Sequence, residues 1–186
     1  MSKVYTRGGD KGTTCIFGLG RVSKADPLID LIGHVDELQV AVGLLIAHIK
    51  ESDFKDLDEL DFLKSTQLRL LEMGSILASP KKDSMFGGKD SDIESRIDAI
   101  TMNLPPLKEF ILAGSNLSEA QAHVCRVICR RVERKLWLYS SDPDDLKSIK
   151  KFLNRFSDYF FTLARYLATE ETRYKISKKR VTNIDM

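Results

Sequence analysis

The chain has 186 residues, 42% hydrophobic and 30% charged, a balance that fits one globular domain and excludes a disordered chain. No apolar run approaches the ~20 residues that cross a bilayer, which excludes a helical membrane protein. With 29 basic against 27 acidic residues the net charge is only +2, too little for a nucleic-acid binder, so any anion site must come from local clustering.

The start of the chain, Met1-Ser-Lys-Val-Tyr5, has no apolar signal core and no long Arg/Ser-rich presequence, and the expected location is the cytoplasm. Cys15, Cys125 and Cys129 are odd in number and form no CxxC, which fits a reducing compartment rather than a disulfide framework or a zinc site. Cys125 and Cys129 stand one helical turn apart and read as small buried residues.

In chain order, the first ~25 residues are rich in turn formers. Five of the 11 glycines fall between Gly8 and Gly20, and the segment reads as a loop or arm without regular structure. From Pro27 the pattern is helical, with Leu28, Leu31, Ile32, Val35, Leu38, Val42, Leu45 and Ile46 at mostly three- and four-residue steps. A second helix is expected over about 56–78, carrying Leu60, Leu63, Leu68, Leu71, Met73 and Leu77, and ended by Ser79-Pro80. Residues 81–90 read as a flexible loop. A short helix follows over about 91–102, closed by Pro105-Pro106. Phe110 to Ser115 is an apolar run ending in a turn, and Asn116 or Ser118 could cap the next helix, about 118–140. Ser141-Asp-Pro143 breaks that helix, and Asp144 is expected to open the last one, through about Thr172. The basic tail from Arg173 is expected to be loosely held. Five helices, no convincing strand and mostly short connections make an all-α bundle with a glycine-rich arm.

Four constellations could carry chemistry. His123, Arg126, Arg130, Glu133 and Arg134 repeat at helical steps and share one stripe, with Val124, Ile128 and Leu136 on the opposite face. Three stacked guanidiniums repel unless anions face them, so the stripe is either a phosphate or carboxylate site or a solvated basic face. Asn154, Asp158, Phe161 and Arg165 form a second stripe beside an apolar one of Phe156, Phe160 and Leu163. That stripe could hydrogen-bond a ribose or base, or simply pair its own charges. In Thr6-Arg-Gly-Gly-Asp-Lys-Gly-Thr-Thr14, glycines would let backbone N–H groups close on phosphate oxygens, but the Walker A spacing is absent and a plain terminus reads equally well. Asp36 in Gly33-His-Val-Asp-Glu-Leu38 faces away from Val35, Leu38 and Val42, as a surface carboxylate or as an arginine's partner.

Together with Gly20-Arg-Val-Ser-Lys24, Phe110-Ile-Leu-Ala-Gly114 and Asn154-Arg-Phe-Ser-Asp-Tyr-Phe160, these segments resemble the PduO-type ATP:cob(I)alamin adenosyltransferase family in order and spacing, over nearly the whole chain. The chain departs from the family's usual pattern at Ala113-Gly114-Ser115, at Gln39-Val40 and around Lys24 to Leu28. The resemblance implies one domain over 1–186, with a nucleotide arm (1–26), a ferritin-like five-helix bundle (27–172) and a basic tail. It implies a homotrimer with active sites between subunits and, as substrates, ATP with Mg²⁺ and cobalamin or a related corrinoid. By position, Thr6, Arg7, Gly9, Asp10, Lys11, Gly12 and Thr13 would wrap the triphosphate, with Lys24 nearby. Arg130, Glu133 and Arg134 would contact phosphates, Glu133 the magnesium and Asn154 the nucleoside. Asp36 and Arg126 would pair across the subunit interface, and Phe110 would pack below the corrin ring and exclude its lower ligand.

The implied activity is transfer of a 5′-deoxyadenosyl group to Co(I). A flavoprotein reductase and an adenosylcobalamin-dependent mutase or dehydratase are its implied partners, with no nucleic acid and no membrane. Two rival readings are a non-catalytic sensor or delivery protein for ATP or adenosylcobalamin, and a helical module docking an acidic partner.

Overall fold

The computed structural model describes residues 3–54, 56–79, 86 and 90–174. Asp26 begins the first helix, α1 (Pro27–Glu51): its side chain accepts from Leu28 N at 2.8 Å, and Pro27 takes the first helical position, where its missing N–H costs nothing. Asp56 caps α2 (Leu57–Leu77) through Glu59 N at 3.1 Å. After α3 (Asp90–Thr101), Asn116 caps α4 (Leu117–Tyr139) through Glu119 N at 2.9 Å. The last helix, α5, runs from Lys147 to Leu167.

Helix α4 packs most extensively on α5 and also on α1; α1 in turn packs on α2, and α5 on α3. Each helix contributes a buried row at three- and four-residue steps: Leu31, Leu38, Leu45 and Ile49 from α1, Leu63, Leu70, Met73 and Leu77 from α2, and Cys129, Val132 and Leu136 from α4. Helix α5 carries the largest buried side chains. Phe156 stacks on Phe152 at 5.1 Å and on Tyr159 at 5.6 Å, and touches Phe160 at 4.2 Å. Between α2, α3 and α5 lies a buried carboxylate. Glu59, only 2% exposed, accepts from the Tyr159 hydroxyl and pairs with Arg96 at 3.0 Å.

Several expectations are corrected. Four short strands form two antiparallel two-stranded sheets where none was expected: a hairpin of β1 (Thr13–Ile16) with β2 (Gly20–Ser23), and a long-range pair of β3 (Phe110–Leu112) with β4 (Thr172–Tyr174). Strands this short carry too little alternation to be read from sequence. Arg173 and Tyr174 are therefore paired in a sheet rather than trailing loosely; the remaining tail and the 81–90 loop, except Phe86 and Asp90, lie outside the described residues. Leu68 and Leu71 are exposed, because the buried row of α2 passes through Leu63, Thr66, Leu70 and Met73 instead. Val124 is exposed too, the buried face of α4 running through Cys125, Ile128 and Cys129. Helix α5 starts at Lys147 and not Asp144, since Leu146 takes a left-handed conformation (φ 53°) that interrupts the helix upstream.

As expected, Cys125 and Cys129 are buried; burial pushes the Cys125 thiol up to about 12.

Replacing Glu59 with Ala strands Arg96 and the Tyr159 hydroxyl and is expected to lower urea-unfolding stability by about 3–5 kcal/mol. Glu59→Gln, which keeps an acceptor for Tyr159, is expected to lower it less.

Candidate functional site

Three groups of expected residues occupy distinct places. The first is the arm. Its β1–β2 hairpin is anchored by Ile16, which is buried in the helical core. The preceding loop is drawn back onto the hairpin: Lys24 N donates to Gly12 O at 2.9 Å, and the Arg21 guanidinium donates to Gly8 O and to Thr13 Oγ1. Gly12 (φ 76°) makes a turn that an L side chain would strain. A Cβ on Gly9 would stand 3.0 Å from Lys24 Nζ, so the bare glycine admits the lysine to the loop's inner side. Thr6, Arg7, Asp10 and Lys11 are exposed around it. The loop thus presents hydroxyls and cations on one small exposed segment, while its Gly8, Asp10 and Gly12 N–H groups donate to Thr6 Oγ1, Arg7 O and Gly9 O within the loop.

The second group lies on α4 and α5. Because Cys129, Val132 and Leu136 are buried, Arg130 and Arg134 face outward. Arg134 donates to Arg130 O at 3.1 Å, and Asn154 Nδ2 on α5 donates to Glu133 Oε1 at 3.2 Å. Arg155 in turn donates to Asn154 Oδ1 at 2.9 Å. Arg131 and Lys135, on the other flank of α4, pair with Glu37 and Asp30 of α1 and are spent there. Asp158 is exposed nearby, but Arg165, expected on the same stripe, is buried. It donates to Glu171 Oε1 at 2.8 Å and to Pro105 O at 2.6 Å, clipping the segments that lead into β4 and β3.

The third group surrounds a cavity of about 870 Å³ lined by Leu107, Lys108, Phe110, His123, Arg126, Phe161 and Tyr174 among others. Phe110 lies directly opposite Tyr174 in the β3–β4 register and is 66% exposed, an apolar ring held out from the core. Arg126 Nε donates to His123 Nδ1 at 3.3 Å. Burial, and then repulsion from Arg130, lower the Arg126 pKa; the guanidinium still stays charged at neutral pH. His123 Nε2 stands 3.1 Å from Glu119 Oε1, but the approach is bent and leaves that nitrogen without a well-formed hydrogen bond.

Asp36 is exposed on α1 and belongs to none of the three groups within one chain. Among the described residues, no hydrogen bond or ion pair joins the arm's Thr6–Thr13 segment to Arg130, Glu133 or Arg134. The groups that sequence reasoning missed are Arg21, Glu119, Phe161 as a cavity wall, and Tyr174. Glu119 had a readable signal: it stands four residues before His123 and three after the Asn116 cap, both positions of side-chain contact.

An exposed, cation-bearing loop, a polar helix face and a separate part-apolar cavity thus stand on one helical bundle. The Cobalamin adenosyltransferase family model matches residues 4–167, and the chain belongs to this family. It is 38% identical to the corrinoid adenosyltransferase MMAB of Bos taurus, covering 96% of this chain and 77% of that protein. It is 34% identical to the corrinoid adenosyltransferase of Citrobacter freundii, over 89% of this chain and 94% of that one. A solved PduO-type ATP:corrinoid adenosyltransferase from Lactobacillus reuteri, a phenylalanine-to-alanine variant complexed with cobalamin and ATP, matches with a TM-score of 0.83 at 33% identity. That match covers 94% of this chain and 100% of the other.

Burial, only partly offset by Glu119, lowers the His123 pKa below its ordinary value of 6.5. The charged groups beside the ring are Glu119 and Arg126 on its own helix; the charged Lys108 and Glu109 and the neutral Tyr174 line the same cavity. A depressed histidine binds fewer protons folded than unfolded, so its contribution falls as pH drops from 6.5 through the lowered value. Urea-unfolding stability is therefore expected to decline over that interval more steeply for the native chain than for His123→Gln. Parallel curves would contradict a neutral buried ring.

Proposed function

We propose that the chain transfers the 5′-deoxyadenosyl group of ATP to the Co(I) centre of cob(I)alamin or a related corrinoid, releasing triphosphate. The observation that carries this reading is the order of side chains on α4. Arg126 lines the part-apolar cavity, while Arg130 and Arg134 open onto the polar face one and two turns further along. A reaction joining an adenosyl carbon to a metal in a flat macrocycle needs the anionic leaving group and the macrocycle held on opposite sides of that carbon, and α4 offers cations on its polar face and a part-apolar cavity beyond it. Membership of the family, and a neighbour complexed with cobalamin and ATP, support the same assignment.

In this reading the cobalt, as substrate, is the nucleophile and needs no protein base. Its electron pair forms the Co–C5′ bond as the C5′–O bond to the triphosphate breaks. Thr6, Arg7, Gly9, Asp10, Lys11, Gly12 and Thr13, with Lys24, wrap the triphosphate, and Arg130 and Arg134 neutralise the departing oxyanion. Asn154 holds the nucleoside. No group of three or more metal-ligating side chains occurs among the described residues. Mg²⁺ takes one or two carboxylates and completes its shell with phosphate oxygens and water; in this reading Glu133 would supply the carboxylate. When bound, the ion adds charge to stabilise the leaving group. Phe110 packs against the corrin and excludes a lower ligand, which raises the reduction potential of the cobalt.

In this reading, as the family resemblance implies, the arm of one subunit serves the arginine helix of another, in a homotrimer. Helices α1 and α4 expose Val40, Leu44, Val124 and Val127, apolar surface that such an interface would cover, and Asp36 stands one turn from Val40, where it could meet a neighbour's Arg126. Residues 1–186 would form one domain, with the arm as 1–26 and the bundle as 27–172. A flavoprotein reductase would supply the reduced corrinoid, and an adenosylcobalamin-dependent mutase or dehydratase would consume the product. Three free thiols suit a reducing cytoplasm.

Anaerobic mixing of the protein with Mg-ATP and reduced cob(I)alamin is expected to yield the light-sensitive spectrum of adenosylcobalamin with one triphosphate per corrinoid. Arg130→Ala is expected to slow turnover roughly tens- to hundreds-fold, the effect of losing one charge-assisted contact, with subunit assembly kept. ATP binding without any turnover would refute the enzyme reading and leave a sensor or delivery role.

A further inference from the structure

We propose that Glu119 and His123 are positioning residues that tie the Phe110 strand to Arg126, so that the first two turns of α4 set two parts of the corrinoid cavity's lining together. The inference rests on the reading that this cavity receives the corrinoid.

Glu119 is 2% exposed, and a buried carboxylate persists only where partners satisfy it. Its partners all belong to the cavity's frame. Oε2 accepts from Gly114 N at 2.7 Å and Ser115 N at 3.0 Å, the two residues that turn the chain out of β3. Gly114 has φ 124°, so this turn is one a side chain would strain, and the carboxylate holds it from beneath. Oε1 faces His123 Nε2 at 3.1 Å.

His123 passes the constraint on. Because its Nδ1 accepts from Arg126 Nε, the neutral ring carries its proton on Nε2, which stands 3.1 Å from the carboxylate in the bent approach described above. With Nε turned inward to the imidazole, the two terminal nitrogens of Arg126 are the ones left for the cavity and for a neighbouring carboxylate. The His123 ring also lies 6.2 Å from the ring of Phe161, a further wall. Glu119 thus joins the end of the strand bearing Phe110 to the orientation of Arg126, although neither Glu119 nor His123 belongs to the polar ATP-facing surface. A residue serving the bundle alone would tie helix to helix, as Glu59 does; Glu119 ties a helix to the cavity's own strand.

The test measures KM for corrinoid and for ATP separately, with kcat and melting temperature, in Glu119→Ala, Glu119→Gln and His123→Leu. Loss of an outer supporting contact is expected to raise the corrinoid KM of Glu119→Ala by about 10–100-fold, leaving the ATP KM within about twofold. Glu119→Gln, whose amide oxygen can still accept from the Gly114 and Ser115 N–H groups, should recover most of the loss. His123→Leu removes the Arg126 link, together with the ring's contacts to Glu119 and Phe161, but keeps the carboxylate under the turn out of β3; a selective rise in corrinoid KM there supports the proposal even if Glu119→Ala fails to fold. A lowered melting temperature with an unchanged corrinoid KM, or equal losses for both substrates, overturns it. Equilibrium binding of cob(II)alamin, followed by its visible spectrum, separates the two layers. A native chain that binds and converts corrinoid while the variants stay normal defeats this inference alone. One that neither binds nor converts it defeats the reading of the cavity as well.

Discussion

Helix α4 carries a row of side chains, Cys125, Ile128, Cys129, Val132 and Leu136, that must leave water, and the aromatic face of α5 is the surface that takes them. That requirement fixes the rotation of α4 about its own axis. Once fixed, it turns Arg130 and Arg134 to one exposed side, sets Arg131 and Lys135 against the carboxylates of α1, and leaves His123 and Arg126 facing the Phe110 strand. A helix of 3.6 residues per turn offers no other arrangement of these residues once the buried row is chosen. The chemistry assigned to α4 therefore depends on the least polar side of the same helix.

The aromatic side chains of α5 give the seam its rigidity. Phe152, Phe156, Tyr159 and Phe160 interlock, and replacing such a ring by a methyl group costs about 3–5 kcal/mol in a close-packed core. Asn154 projects from this helix toward Glu133 across the seam, so a polar contact of the proposed nucleotide site is held by two elements locked apolar face to apolar face. In contrast, the arm is held to the bundle by Ile16 and to itself by Arg21 and Lys24, a lighter set of restraints that suits a segment closing over a ligand.

The helices and their order were legible because long apolar periodicity is the strongest signal a sequence carries. Asp36 could be placed on the surface from its phase alone, and the ordered motifs pointed to the family. What escaped was set by contacts between distant segments. Arg165 looked like part of a polar stripe, yet it is buried because Pro105 and Glu171, far apart in sequence, converge on it. Leu68 and Leu71 looked like core, but apolar character does not by itself choose between two adjacent rows of a helix, and Thr66 can join the buried row because its hydroxyl donates to Phe62 O. The small sheets escaped because pairing, not propensity, creates them.

The β3–β4 pairing has a consequence for how intact protein is recognised. The strand that carries Phe110 finds its partner only after the whole of α4 and α5 has been laid down, and closing so long a loop is an entropic cost met by a few ladder bonds and by the clip through Arg165. The five helices owe little to it. A preparation that had lost the segment beyond Leu167 would retain the helical signature of the bundle and its aromatic core while its Phe110 wall hung unpaired. Helix content is thus a poor witness to this cavity; the tyrosine at position 174 is the better one.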